Sequence, residues 1–159
     1  MRFEDFVAAR LPALSRYATL LCGDREDAHD IVQEVLARAL VRWARIERLD
    51  EPYGYVRTMV TNEFLSRRRR RVRTVPLREE HDGPARPAGE PADHDGLWQR
   101  LKSLPRQQRA VLVLRYYEGL GDDEIAEVLG CRSGTVRGYH SRALATLRIE
   151  LTTTEGALR

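Results

Sequence analysis

The hydrophobic positions of this chain recur at helical spacing, most regularly between residues 28 and 43. The apolar side chains in this stretch follow alternating steps of three and four residues: Ala28, Ile31, Val32, Val35, Leu36, Ala39, Leu40 and Trp43. This spacing puts them on one face of a helix. Gly23 and Asp24 precede the helix and are typical of a helix end followed by an N-cap. No comparable run alternates with the period of a strand, so the sequence predicts an all-α fold.

The same periodicity predicts a helix on each side of this segment. The first runs over Phe3–Leu21, where Pro12 predicts a kink or a second helix start. The third begins at Pro52, a residue favoured in a first helical turn, and ends in the arginine run Arg67–Arg71. Its predicted inner face consists of Val56, Met59, Val60 and Phe64. Because Trp43 continues the apolar stripe, core packing is favoured for it over contact with a ligand.

Residues 73–94 interrupt the helical pattern and predict a flexible linker. Four of the seven prolines fall in this stretch, at Pro76, Pro84, Pro87 and Pro91. Proline excludes regular helix, and few apolar side chains are available for a core. The sequence therefore predicts two small helical domains, at 1–72 and 95–152, joined by the linker 73–94. A frayed tail is predicted at 153–159.

A helix-turn-helix is predicted within Asp122–Arg148, DDEIAEVLGCRSGTVRGYHSRALATLR. Two helical periodicities flank Gly130 at the turn, as this motif requires. Arginines and short hydroxyl side chains on the second helix suit contacts with base edges and phosphates in the major groove. These candidates are Arg132, Ser133, Thr135, Arg137, Ser141 and Arg142. Ser133 can also cap the helix.

Two positions on that second helix are open to interpretation. Gly138 costs about 1 kcal/mol in a helix interior. It either allows close approach of the backbone to DNA or has no role in recognition. By spacing His140 belongs to the inward stripe, which favours a packed histidine over a base contact.

Composition excludes several classes of function. The net charge is only +3, so the distribution of charge matters more than its sum. Cys22 and Cys131 are far apart and the four histidines are scattered, so neither a metal site nor a cofactor is predicted. Both cysteines are interpreted mainly as small structural residues. The minor alternative is a reactive Cys131 whose thiol pKa is lowered by Arg132. No apolar run has signal-peptide or membrane-spanning length, so we expect a cytoplasmic protein with no membrane partner.

Three segments together resemble a known family. DREDAHDIVQEVLARAL resembles the core-polymerase-binding segment of bacterial sigma factors, and PYGYVRTMVTNEFLSRRRRR resembles their promoter-melting segment. LPRQQRAVLVLRYYEGLGDDEIAEVLGCRSGTVRGYHSRALATLR resembles their C-terminal DNA-binding domain. The two-domain layout is similar to that of the extracytoplasmic-function sigma factors. The arginine-rich composition is similar to actinobacterial members of the sigma-E-like type.

The resemblance implies a non-catalytic initiation factor with two macromolecular partners. Core RNA polymerase would be bound through the clamp of its largest subunit and through its flap. The residues implied in this contact are Asp24, Asp27, Asp30, Gln33 and Glu34. Promoter DNA would be bound as a duplex at the minus-thirty-five element, by the six helix-turn-helix residues named above. Melted minus-ten DNA would be held by Arg45, Leu49, Asp50, Tyr53, Tyr55, Arg57, Asn62, Arg67, Arg68, Arg69, Arg70 and Arg71.

Structural roles compete with several of these assignments. Acidic residues favour a helix N-terminus whether or not a partner binds them. For both Tyr53 and Tyr55, packing within the protein and stacking on a base are about equally favoured. The arginine run is better explained by an anion, because adjacent like charges repel one another.

Other functions remain as alternatives. A stand-alone helix-turn-helix regulator would need a dimer to bind two half-sites, and the chain has no spare apolar stripe for one, so no homodimer is required. An enzyme using His29 or His140 lacks any nucleophile elbow, phosphate loop or metal spacing. The family resemblance also allows an anti-sigma protein as a further partner.

Overall fold

The computed structural model describes the backbone of residues 1–73 and 92–157, and the side chains of residues 1–67, 96 and 99–148. Within these ranges the chain forms helices and turns without a strand, which confirms the predicted all-α fold. The chain divides into two compact units, Met1–Ala88 and Gly89–Arg159. The predicted linker 73–94 lies mostly outside the described residues. None of the helices described has the length and apolar character needed to cross a membrane.

The first unit packs its helices around one apolar core. Gly23, with φ 66°, ends the first helix, and the Asp24 carboxylate accepts a hydrogen bond of 2.9 Å from the Glu26 amide to start the second. The helices are α1 (Phe3–Cys22), α2 (Arg25–Val41), α3 (Trp43–Ile46) and α4 (Pro52–Arg73). Helix α2 packs against both α1 and α4. The Tyr17 hydroxyl, fully buried, forms a hydrogen bond of 2.6 Å with the Thr61 hydroxyl, which ties α1 to α4.

Two predictions for this unit need correction. Helix α1 continues through Pro12, so of the two alternatives predicted there the second helix start is wrong. Pro12 lies on the exposed side of α1, whereas Leu14 and Tyr17 are buried, and burial of that inner face outweighs the hydrogen bond that proline cannot make. Leu40 is 54% exposed, because the buried face of α2 ends at Ala39.

Trp43 belongs to the core, as predicted. Its ring is buried and packs against Phe3 and Phe6 at centroid distances of 5.6 and 4.9 Å. The indole Nε1 donates a hydrogen bond of 2.9 Å to the Met1 carbonyl. A buried indole N–H needs such a partner. These contacts explain why the apolar pattern of α2 continues to Trp43, beyond the end of that helix at Val41.

The second unit has a core of its own. Its elements are α5 (Ala92–Ser103), α6 (Arg106–Leu112), a π-helical turn (Val113–Tyr117), α7 (Asp122–Leu129) and α8 (Ser133–Ala157). Leu101, Leu104, Leu112 and Ala143 form one buried cluster, against which Leu144 and Leu147 pack. Helices α6 and α7 both pack on α8. The core therefore fixes α8 from its inner side and leaves its outer side for contacts.

The start of α5 and the end of α8 differ from the sequence expectation. Helix α5 begins at Ala92, inside the span predicted as linker. Helix α8 extends to Ala157, across most of the tail predicted to be frayed. The last turns contain no proline, and glycine occurs only at Gly156, so nothing local ends the helix earlier.

Candidate nucleic-acid and protein interfaces

Helices α7 and α8 form the predicted helix-turn-helix. Glu124 accepts a hydrogen bond of 3.0 Å from the Gly121 amide at the start of α7, and Gly130, with φ 66°, ends it. In α8, Val136 and Ala143 are fully buried. Glycine is required at the turn because this left-handed conformation is strained for other residues. The short turn and the buried face of α8 hold the second helix with its polar side outward.

Five of the six predicted minus-thirty-five residues lie on that exposed side. They are Arg132, Thr135, Arg137, Ser141 and Arg142. The sixth, Ser133, is half-buried, and its hydroxyl donates a hydrogen bond to the Asp123 carboxylate of α7. Ser133 is itself the first residue of α8, so the N-cap position falls on Arg132. The interpretation of Ser133 as the helix cap is therefore wrong; its hydroxyl ties α8 to α7.

His140 is half-buried on the inward side, as predicted. Its Nε2 lies 2.7 Å from the Tyr116 hydroxyl in a hydrogen bond that links α8 to the π-helical turn. Burial, and after it the positive charge of Arg115, lower the pKa of His140. The His140 side chain therefore contributes to the packing of the motif.

Cys131 lies in the turn between α7 and α8 and is half-buried. Burial raises the pKa of its thiol above the ordinary value. The minor interpretation, in which Arg132 lowers this pKa and makes the thiol reactive, is wrong. Neither Cys22 nor Cys131 forms a disulfide.

The five residues predicted to contact polymerase differ in their surroundings. Asp30 and Gln33 are exposed, and Asp27 is half-buried. Asp24 is the helix N-cap, so its carboxylate already has a structural role. The fifth, Glu34, belongs to an ion-pair network. A protein partner would therefore meet mainly the exposed side chains in the middle of the helix.

The ion-pair network joins α2 to α4 through two arginines and two glutamates. Arg38 contacts Glu34 at 2.5 Å and Glu63 at 3.0 Å, while Arg67 contacts Glu34 at 2.9 Å and Glu63 at 3.2 Å. The Glu63 side chain is only 3% exposed. A buried carboxylate is stable only with such partners.

Electrostatics in this network favour the charged forms. Burial alone would raise the pKa of Glu34, but the hydrogen bonds and positive charges of Arg67 and Arg38 lower it. Burial would likewise lower the pKa of Arg67, and the two carboxylates raise it. Arg67 is thus engaged within the unit. The side chains of Arg68, Arg69, Arg70 and Arg71 lie outside those described.

The predicted minus-ten residues extend from α3 along α4. Arg45, Leu49, Asp50, Tyr55 and Asn62 are exposed, whereas Tyr53 and Arg57 are half-buried. Exposed aromatic and amide side chains can stack on a base and bind its edge. Tyr55, 38% exposed, is the tyrosine with more of its surface available.

Tyr53 has arginine neighbours that the sequence pattern did not reveal. The guanidinium carbon of Arg10, on α1, lies 5.0 Å from the ring centroid, and that of Arg57 lies 5.7 Å from it. Each distance is within the range of a cation–π contact. Arg10 joins the candidate surface only through the packing of α1 on α4, so no local motif could have identified it. A base stacking on Tyr53 would compete with these guanidinium groups.

Comparison with known proteins identifies both units. Residues 6–74 match the family model described as sigma-70 region 2, and residues 94–147 match sigma-70, region 4. The RNA polymerase sigma-E factor of Streptomyces coelicolor is 40% identical over 154 residues, which cover 95% of this chain and 86% of that protein. The ECF RNA polymerase sigma factor SigE of Mycolicibacterium smegmatis is 35% identical over 92% of this chain and 60% of its own length.

A solved structure agrees with these relationships. The sigma factor RpoE of Bartonella quintana, crystallised with the anti-sigma factor NepR, is similar with a TM-score of 0.74 and 28% identity. The match covers 94% of this chain and 96% of that chain. Family membership favours the sigma-factor hypothesis over a stand-alone regulator. With both sigma-70 regions in order and relatives similar over nearly its whole length, the chain belongs to the extracytoplasmic-function sigma factors, of the sigma-E-like type.

Proposed function

We propose that this sigma factor binds core RNA polymerase through α2 and contacts promoter DNA through α8 and the α3–α4 surface. The observation that supports it most is the face of α8, where arginines and hydroxyl groups are exposed on a helix fixed from behind by Val136 and Ala143. Such a helix fits the major groove. The protein would act in the cytoplasm as a non-catalytic factor that selects the start site.

The contact with polymerase is assigned to the exposed middle of α2. Asp30 and Gln33 face solvent, and Asp27 lies one turn before Asp30 on the same side of the helix. The negative charge of Asp27 and Asp30 suits a basic helical surface, such as the clamp that the family resemblance implies. Glu34 would support this contact indirectly, through its ion pairs with Arg38 and Arg67. Asp24 would support it by capping the start of α2.

Charge reversal tests this contact. The double variant Asp27→Arg/Asp30→Arg should lose co-purification with core polymerase, because two attractive contacts become repulsive. A matched control reverses Glu4 and Asp5, which are exposed in the first turn of α1. Circular dichroism should show that both double variants are folded. Polymerase binding by Asp27→Arg/Asp30→Arg at the level of the control would refute the assignment.

The minus-ten contact is assigned to the surface formed by Leu49, Asp50, Tyr55 and Asn62, bordered by Arg10, Tyr53 and Arg57. Tyr55 offers an exposed ring for stacking, and Asn62 an amide for a base edge. Arg45 and the run Arg67–Arg71 would add positive charge for the backbone, with Arg67 acting mainly through its carboxylate partners.

Replacement of Tyr55 tests this surface. Tyr55→Ala should weaken formation of the open complex by about 1–3 kcal/mol, the value of one base stacked on an aromatic ring. Tyr55→Phe keeps the ring and should retain most of the activity. Open complexes are measured by permanganate modification of unpaired thymines. Equal activity of the Ala and Phe variants would remove Tyr55 from the interface.

Run-off transcription tests the function as a whole. Core polymerase, this protein and a library of promoter fragments should yield discrete transcripts that core polymerase alone does not make. Absence of any specific start site, with protein that is folded and binds core, would refute the proposed function.

An inhibitor is a further proposed partner. The Bartonella quintana relative was crystallised with an anti-sigma factor, and a similar protein would hold this chain inactive. Such a protein should compete with core polymerase for α2. Failure of an anti-sigma candidate to reduce co-purification of core polymerase would contradict this.

A further inference from the structure

Arg142 on α8 is held between two neighbours on the same helix. Its guanidinium carbon lies 5.4 Å from the centroid of the Tyr139 ring, three residues earlier. A Cβ atom at Gly138, four residues earlier, would lie 3.5 Å from an Arg142 Nη atom. The arginine therefore lies back along the helix, over Gly138.

This arrangement limits the orientations available to Arg142. An exposed arginine normally loses considerable rotamer freedom when it binds. The Tyr139 ring attracts the cation, and a guanidinium on an aromatic face keeps its in-plane N–H donors available for bidentate contacts. The exposed residues Ser141 and Ala145, one and three positions from Arg142, have small side chains and leave the arginine room to extend from the helix.

We propose that Tyr139 and Gly138 are positioning residues that orient Arg142 for a bidentate contact with a guanine in the minus-thirty-five element. Tyr139 supplies the aromatic face, and Gly138 supplies the space. The inference rests on the proposed function, because it requires α8 to enter the major groove. It gives Gly138 a role: a small residue at this position leaves space for the Arg142 guanidinium, and a methyl group would still fit.

The experiment uses holoenzyme made from core polymerase and full-length protein. The probe is a library of promoter duplexes with a randomised minus-thirty-five hexamer, and base preference is measured at each position after selection. Arg142→Ala should lose preference for guanine at one position and bind its selected promoter about 5–150-fold more weakly, the range for one bidentate contact. Tyr139→Leu should lose preference at that same position, whereas Tyr139→Phe, which keeps the ring, should retain it.

Two further comparisons distinguish positioning from general stability. In the Arg142→Ala background, Tyr139→Leu should cause no additional loss, because the residue it positions is absent. Gly138→Ala should retain the preference, since a 3.5 Å contact is ordinary, whereas Gly138→Leu should lose it. Thermal unfolding checks that each variant is folded.

The outcomes distinguish a failure of the role assigned to Arg142 in the proposed function from a failure of the positioning roles of Tyr139 and Gly138. If Arg142→Ala changes no preference, the assigned role of Arg142 within the proposed function is wrong, and the inference falls with it. If Arg142→Ala loses preference but Tyr139→Leu keeps it, the role of Tyr139 alone is overturned. Retained preference in a folded Gly138→Leu variant would overturn the role of Gly138.

Discussion

Arg67 and Arg142 are both arginines assigned to DNA by sequence, yet their surroundings differ. Arg67 contacts Glu63 four residues away on α4 and Glu34 thirty-three residues away on α2. Arg142 is exposed and has its aromatic neighbour within one helical turn. The sequence pattern identified both as basic surface residues. It could not show that Arg67 is paired, because the pairing depends on the packing of α2 against α4.

His140 should make the stability of the second unit depend on pH. Its pKa is lowered from the ordinary 6.5 by burial and by Arg115, so between these two pKa values the unfolded chain binds more protons than the folded one. Stability should be complete above pH 6.5, fall as the pH decreases towards the folded-state pKa, and level off below it. Urea unfolding at a series of pH values measures this.

The control for His140 is His140→Gln, which is neutral at all these pH values and can still bond to the Tyr116 hydroxyl. The difference in pH dependence between the two proteins isolates His140 from the other histidines. Identical pH profiles would contradict the prediction.

At the level of elements, helix positions follow from sequence better than helix ends do. The three-four spacing located α2 correctly, because burial of one face determines which residues must be apolar. It failed at Leu40, since an apolar residue at a helix end can lie beyond the neighbouring helices. The second helix start that proline suggested at Pro12 is also wrong, because tertiary packing of α1 overrides the local preference of proline.

The pairing of α2 with α4 should depend more on Glu63 than on Glu34. Glu63→Gln should lower the free energy of unfolding by about 3 kcal/mol, because two arginines lose a buried carboxylate. Glu34→Gln should cost less than about 1 kcal/mol, since that carboxylate is 37% exposed and screened by water. Urea unfolding of the two variants provides the comparison. Losses of equal size would show that burial does not strengthen this network.

On the scale of the whole molecule, each unit contains its own buried core. Val60 is fully buried in the first unit and Val136 in the second. Composition and the proline-rich stretch predicted two domains, and the two units agree with that expectation in number. The polymerase and minus-ten residues were assigned from the family resemblance, whereas the helix-turn-helix residues were assigned from the chemistry of the second helix. The arrangement of Arg10 with Tyr53 came only from the structure.

Shortening a buried side chain in one core should therefore lower the stability of that unit only. Val60→Ala and Val136→Ala should each lower the stability of their own unit by about 2 kcal/mol. Calorimetry should show two unfolding transitions, with a different one shifted in each variant. A single transition that both variants shift equally would show that the units unfold together.

The π-helical turn at Val113–Tyr117 has a consequence for any shortened version of this chain. Six consecutive residues, Arg109 to Leu114, are buried across the end of α6 and the start of the turn, more than one face of a regular α-helix can bury in succession. Deleting one residue from the turn would restore the regular geometry and rotate the preceding segment by about 100°. Helix α6 packs on α8, so it would then present a different face to α8. A natural relative lacking that residue would need its buried apolar side chains at other positions of α6.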